Sequence, residues 1–316
     1  MVKKIALEEH FLSPGLVDYW RPTMTEVVAP HVDRLYRQLT DFDAERLETM
    51  DRAGIAKAVL SVSGPGVQAE RDAGVATRKA REANDFLAEQ IVRRPDRYAG
   101  FAHVAVQDAT GAARELTRCV TELGFKGAMI NGHTNGLYLD DRSLDPFWAA
   151  AEALGALVYI HPTDPLVPAP VLNGVPALRR ATWEWGFETG SHALRLVFSG
   201  LFDRFPKAKV ALGHMGETLP YLLARFDSRA KLYNVKLARA PSQYIKDNIV
   251  VTVSGVYARE PLMCAVDALG RDKVMFAADY PFENAEEAGR FMDDAAIPED
   301  LRADVACNNA ARLLRL

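Results

Sequence analysis

Lys3-Lys4-Ile5-Ala6-Leu7-Glu8-Glu9-His10-Phe11 begins as a short apolar run and ends in two carboxylates and an imidazole. Lys3–Leu7 has the length of a buried strand, and the residues after it load the strand end with chemistry. Seven further runs repeat the form: Ala56–Val62, Tyr98–Val104, Ala128–Ile130, Leu157–Ile160, Lys209–Leu212, Ile249–Val253 and Val274–Ala277. Segments of helical period lie between them, among them Ala44–Ala53, Gly74–Arg94, Ala112–Leu123, Leu144–Leu154 and Glu260–Leu269. In the first, Asp43 is placed to cap the N-terminus, Ala44, Leu47 and Met50 share one face, and Gly54 suits the stop. Strands alternating with helices imply a parallel sheet covered by helices. Eight such units predict an α/β fold, a (β/α)₈ TIM-type barrel forming one domain over 1–316. The rival is an open doubly wound sheet, but no GxGxxG follows the first strand to support its dinucleotide-binding form.

Two stretches exceed a minimal barrel. Ser13–Phe42, with Pro14, Pro22 and Pro30, is expected to be an insertion over the barrel mouth. Pro162–Trp185, after the fifth strand, carries five more prolines. Loops of this length are usually functional or interfacial.

Composition narrows the function classes. The 316 residues are 49% hydrophobic and 25% charged, as in a soluble globular protein. Lys+Arg number 38 against 42 Asp+Glu, for a net charge of −4. That balance gives no basic excess to make nucleic acid or an anionic membrane the default partner. No apolar run approaches the length of a bilayer span. Cys119, Cys264 and Cys307 are too few and too scattered for a disulfide framework or a CxxC zinc site, so a reducing, cytoplasmic compartment is expected.

In barrels of this kind the active site sits at the C-terminal ends of the strands. Those ends read Glu8-Glu9-His10, Ser61-Val62-Ser63, His103, Asn131-Gly132-His133, His161-Pro162, Gly213-His214-Met215-Gly216-Glu217, Thr252-Val253-Ser254-Gly255 and Asp279-Tyr280-Pro281-Phe282-Glu283. Glu8 and His10, two apart on a strand, point the same way. His161 and Asp279 can converge on them from other strands. Two neutral imidazoles and two carboxylates suit one divalent ion with a position open for water or substrate, and zinc and manganese both accept that mixture. Taken singly, Glu8 is as readily a solvated strand-end charge and His161 a hydrogen-bonded core residue; taken together, the set favours a metal.

The strings Ala6-Leu7-Glu8-Glu9-His10-Phe11, Arg94-Pro95-Asp96-Arg97, Leu123-Gly124-Phe125, His161-Pro162, Gly200-Leu201-Phe202-Asp203, Gly213-His214-Met215-Gly216-Glu217 and Asp279-Tyr280-Pro281-Phe282-Glu283 run in order through almost the whole chain. In these the sequence resembles the amidohydrolase superfamily, in its branch of nonoxidative aromatic-acid decarboxylases, and looks closest to the γ-resorcylate and 2,3-dihydroxybenzoate decarboxylases. The resemblance implies metal ligation by Glu8, His10, His161 and Asp279. It places His214 beside the metal with Glu217 as its partner, sets Phe282 against the aromatic ring, and assigns Arg229 to substrate binding or a subunit interface. His133 is a candidate contact for a ring hydroxyl, or alternatively a loop-stabilising residue. Ser63 stands where close relatives carry Asn, and Val256 where they carry an amide; both changes bear on which acid is bound.

The implied activity is loss of CO₂ from a hydroxylated aromatic acid after protonation of the ipso carbon, with Asp279 as leading proton donor and His214 second. It implies one Zn²⁺ or Mn²⁺, no organic cofactor, and a homodimer or homotetramer. The strand-one pair is Glu-x-His rather than His-x-His, and Lys126 precedes strand four instead of ending it, so one ion is expected rather than two. A hydrolase or hydratase using the same ion to activate water is the alternative enzyme, with His214 as base. A catalytically dead metal-binding barrel is the alternative from another class. Among the remaining histidines, His103 and His192 are expected to be structural.

Overall fold

A computed structural model describes residues 2–316. All eight predicted strands are present: β1 Lys4–Phe11, β2 Ile55–Val62, β3 Tyr98–Gly100, β4 Gly127–Asn131, β5 Leu157–His161, β6 Lys209–Leu212, β7 Ile249–Thr252 and β8 Val274–Met275. Every pairing between them is parallel, in two sheets ordered β1-β2-β3 and β4-β5-β6-β7-β8. β3 and β8 are shorter than their apolar runs because the chain leaves regular pairing at Phe101 and Phe276 while both residues stay buried. Single parallel bridges join the sheets at both seams, Ala102 to Ala128 and Glu9 to Tyr280. Backbone bonds reinforce the second seam, from Leu7 N–H to Phe276 O at 3.2 Å and from His10 N–H to Tyr280 O at 2.8 Å.

Side chains alternate across these strands as period two requires. Ile5, Leu7, Val59, Phe101, Met129, Tyr159, Ala211, Val250 and Met275 form one buried cluster, joined at one end by Ala310 and Leu314 of the last helix. Ala6, Ala58, Leu60, Ile130, Ile160, Leu212 and Val251 face the opposite way and pack with the helices in a second, larger cluster.

β1 interrupts its own alternation. Ala6 pairs with Ala58 and Glu9 with Leu60, so Leu7 and Glu8 together oppose Val59 alone. This extra residue is a β-bulge. Below it Ile5 and Leu7 face the first cluster; beyond it the phase has shifted by one, and Glu8 and His10 face that side while Phe11 joins the second cluster. Without the bulge the inward pair would be Glu9 and Phe11.

The helix Glu45–Ala53 ends at Gly54 in the left-handed region (φ 70°), as expected. Its N-terminal cap is not Asp43. Asp41 accepts the N–H groups of Ala44 and Arg46 at 3.2 and 2.7 Å, whereas Asp43 pairs with Arg93 and Arg94. The strand-one excursion contains the helix Ala29–Thr40 and buries Leu16, Trp20, Leu35 and Leu39. Among the described residues no helix is long and apolar enough to cross a membrane.

Candidate active site

At the C-terminal ends of the strands, Glu8 and His10 from β1, His161 from β5 and Asp279 after β8 each offer a ligand atom, all within 4.8 Å of one another. All four residues are buried. His161 Nδ1 lies 2.8 Å from the Pro162 carbonyl, which fixes the proton on that nitrogen and leaves Nε2 as a lone pair facing Glu8 Oε1 at 3.9 Å. His10 Nδ1 lies 3.3 Å from Ser61 Oγ, and its Nε2 is 3.1 Å from Asp279 Oδ1 without the alignment of a hydrogen bond.

The accounting of polar groups singles this cluster out. Among the described residues, Glu8 Oε1, His10 Nε2 and Asp279 Oδ1 are buried without a hydrogen-bond partner. Unpaired buried polar atoms cost about 1–3 kcal/mol each, more when charged. Here three converge on one point, with neutral nitrogen and anionic oxygen donors in the mixture that borderline divalent ions take. The residues present therefore fit a metal ion.

Burial, and then the neighbouring His10, push His161 down to about 3, keeping it a neutral donor. Burial acts to raise the Asp279 carboxyl, but His10 and His214 outweigh it and hold it below the usual carboxylate range. Glu8 is raised, mainly by burial. Glu9 faces away; burial pushes it up to about 8, and its Oε1 accepts the Ala278 N–H at 2.8 Å.

His214 and Glu217 sit beside the cluster on an unusual turn. His214, Met215, Gly216, Glu217 and Thr218 all have positive φ, from 49° to 77°. Gly216 is required there, since a Cβ would come 2.6 Å from Val251. The four non-glycine residues cost about 1–3 kcal/mol each, a strain that collects at functional sites. The turn sets His214 Nδ1 2.7 Å from Glu217 Oε1 and turns Nε2 toward Asp279 Oδ2 at 3.7 Å. Burial opposes a charge on His214, but Glu217, Glu8 and Asp279 outweigh it and raise its pKa well above the ordinary value.

A cavity of about 720 Å³ opens over these groups. His161, His214, Glu217 and Asp279 line one part of it, together with Ser63 and Phe282. The Phe282 ring lies 5.6 Å from that of His10. Much of the remaining wall is apolar, including Leu194, Leu222, Phe226 and Val256, with Met24, Val27 and Leu35 from the strand-one excursion.

Together these features are a mixed N/O metal-type cluster beside an oriented histidine under an apolar vault. A sequence profile of the Amidohydrolase family matches residues 29–316. The chain belongs to the amidohydrolase family. It is 41% identical to a gamma-resorcylate decarboxylase of Rhodococcus jostii (strain RHA1), covering 100% of this chain and 99% of that protein. A crystal structure of 2,6-dihydroxybenzoate decarboxylase complexed with 2,6-dihydroxybenzoate superposes with a TM-score of 0.94 at 38% identity, covering 100% of both chains. A dihydroxybenzoic acid decarboxylase from Polaromonas sp. JS666, solved with manganese and the inhibitor 2-nitroresorcinol, gives a TM-score of 0.94 at 40% identity, covering 100% of this chain and 98% of that one.

Within this amidohydrolase, two candidate substrate contacts lie outside the cavity wall, His133 in the loop-stabilising alternative and Arg229 exposed, as a subunit interface requires. His133 is outside the cavity wall; its ring bonds the Gly136 N–H at 3.1 Å and lies 3.2 Å from the Asp164 carbonyl, so both nitrogens serve the loop. Arg229 is exposed on the helix Leu223–Leu232, and its Nε reaches only Ser228. The guanidinium that does line the cavity is Arg180, bonded to the Thr23 carbonyl at 2.8 Å and 3.4 Å from Asp164. Sequence reasoning passed over it because a proline-rich loop gives no periodicity from which to read where a side chain points. His103 and His192 are buried acceptors for the backbone N–H groups of Val67 and Leu139.

Proposed function

We propose that this chain is a metal-dependent nonoxidative decarboxylase of a hydroxylated aromatic acid. The observation that carries this reading is the placement of the Glu8–His10–His161–Asp279 cluster, three of its members with an unpaired buried atom, against the His214–Glu217 pair at the wall of an apolar-lined cavity. Glu8, His10, His161 and Asp279 would hold one divalent ion, manganese as in the Polaromonas relative or zinc. When bound, that ion supplies positive charge that orients the acid and favours the ionised ortho phenol.

The chain's own residues do the rest. The apolar wall excludes water, and Phe282 flanks the ring. Ser63 offers a hydroxyl near the ring substituents. Glu217 keeps His214 cationic and aimed at Asp279. Cationic His214 passes its proton to Asp279 Oδ2, 3.7 Å away, and Asp279 hands it to the ring carbon bearing the carboxylate. The carbon–carbon bond then breaks, its electron pair restores the aromatic ring, and CO₂ leaves. Because the ortho phenolate feeds density into that carbon, the scheme needs no organic electron sink.

The same reading takes the two sheets as one closed (β/α)₈ barrel in a single domain, supported by the bridges at both seams. The segment 13–42 is its insertion over the mouth, supported by Met24, Val27 and Leu35 in the cavity wall. A homodimer or homotetramer is proposed, supported by the exposed apolar residues Leu166, Val167, Val171 and Phe187 around the second excursion. A cytoplasmic location accords with three unpaired cysteines.

The test is a hydroxybenzoate panel offered to the metal-loaded protein, with CO₂ and phenolic product measured. Turnover should require an ortho hydroxyl. Equal decarboxylation of benzoate and 2-hydroxybenzoate would contradict the scheme.

A further inference from the structure

On the side of Glu8 away from its unpaired oxygen, three hydroxyls from two strands meet the other oxygen. Tyr159 Oη donates to Glu8 Oε2 at 2.6 Å. Ser254 Oγ donates to the same oxygen, and Thr252 Oγ1 lies 3.4 Å from it. Thr252 also sits 2.8 Å from Tyr159 Oη and 3.0 Å from Ser254 Oγ, closing the triangle. Tyr159 stands two residues before His161 on β5, so both face the same side; Thr252 ends β7 and Ser254 follows two residues on. All three are fully buried. Gly213, at the end of β6, leaves the space: a Cβ there would come 2.8 Å from Glu8 Oε2.

We propose that Tyr159, with Thr252 and Ser254, is a positioning cradle that commits one oxygen of Glu8 to the protein, presents the other to the divalent ion, and thereby sets the affinity of the site. The inference rests on the metal-ligand reading of Glu8 given above. Proton arithmetic supports it. Each hydroxyl has one hydrogen to give. Tyr159 and Ser254 spend theirs on Oε2, and Thr252, packed against both hydroxyls, has one hydrogen to give within this group. None reaches Oε1, which is left buried and unpaired on the side facing His161. The choice of donor also matters. Hydroxyls add no positive charge of their own, so the charges of the two carboxylates stay available to a doubly charged ion. A lysine in the same place would cancel one of those charges. Ser254 further ties the cradle to the catalytic turn, because its Oγ accepts the His214 N–H at 3.2 Å.

The experiment is Mn²⁺ titration of metal-stripped, full-length protein, with free Mn²⁺ read by electron paramagnetic resonance. Outer-shell partners of this kind are typically worth about 10–100-fold in metal affinity. Tyr159→Phe should weaken Mn²⁺ binding by that factor. Phe101→Leu is the packing control, since its ring lies 6.2 Å from that of Tyr159 in the same apolar layer; it should lower thermal stability and leave Mn²⁺ affinity alone. Should Tyr159→Phe fail to fold, Thr252→Val carries the same expectation. A parent that binds no Mn²⁺ sinks the metal reading itself. A parent that binds, with a Tyr159→Phe or Thr252→Val variant binding equally well, overturns the cradle alone. So does a Phe101→Leu variant weakened as much as Tyr159→Phe.

Discussion

Two buried polar clusters in this molecule use much the same residue types to opposite ends. In one, Asn84 donates to the His103 carbonyl and to Glu115 at 2.8 and 2.9 Å and accepts the His103 N–H at 2.8 Å. His103 Nε2 accepts the Val67 N–H, and Arg118 grips both oxygens of Glu115 at 2.7 and 2.9 Å. Burial works to raise Glu115, but Arg118 and Asn84 prevail and hold it low. In the other, Glu8, His10 and Asp279 each end in a buried atom with no partner. A histidine and a buried glutamate occur in both, so residue type does not separate structure from chemistry. Completeness of hydrogen bonding does: the satisfied cluster fixes a loop and a helix, and the unsatisfied one keeps the donor set that could hold a metal ion.

The largest effect that would break this contrast is at Asp279. Asp279→Asn keeps the side chain's size and one oxygen but cannot donate a carboxylic proton. Turnover per bound metal should fall by about 10²–10⁴-fold, the usual worth of general acid catalysis. Solvent deuterium delivery to the former carboxyl carbon should fall with it. A metal-replete variant with near-normal turnover would move the donor role to His214.

A smaller effect is expected in the satisfied cluster. Asn84→Ala leaves the His103 backbone groups unpaired, at about 1–3 kcal/mol for each buried group. Denaturant unfolding should show that loss, whereas Mn²⁺ affinity should not move. A loss of metal without a loss of stability would mean that the two clusters are not independent.

The smallest effect concerns pH. Burial pushes His103 down to about 3 from an ordinary 6.5. Between those values the unfolded chain binds a proton that the folded chain refuses, so the neutral histidine's stability is complete above about 6.5 and erodes as pH falls. The slope per histidine is at most about 1.4 kcal/mol per pH unit. His103→Gln keeps an acceptor for the Val67 N–H and cannot titrate. Relative to the parent, it should lose less stability on acidification from neutral to about pH 5.5. Identical slopes would show that folding leaves the proton affinity of His103 unchanged.

Much of this was legible in the sequence, for identifiable reasons. Buried parallel strands must be apolar on both faces, so all eight announced themselves as runs, and the residues just beyond them named the cluster. Three things were not legible. The bulge at Leu7–Glu8 leaves no mark in the sequence, yet it puts Glu8 and His10 on the inner face. Tyr159 sits within an apolar run and reads as core, although its period-two spacing from His161 was the available signal. His133 and Arg229 lie beyond regular structure or on an exposed helix, where side-chain direction depends on tertiary contacts that spacing does not encode.

The central claim is that Glu8, His10, His161 and Asp279 hold one divalent ion. Metal content of the purified parent and of His161→Ala, each incubated with Mn²⁺ and freed of excess, addresses it most directly. About one ion per subunit is predicted in the parent, since the ligand atoms of these four residues converge on a single site, and a large loss of occupancy in the folded variant. Full occupancy in His161→Ala, with activity intact, would contradict it.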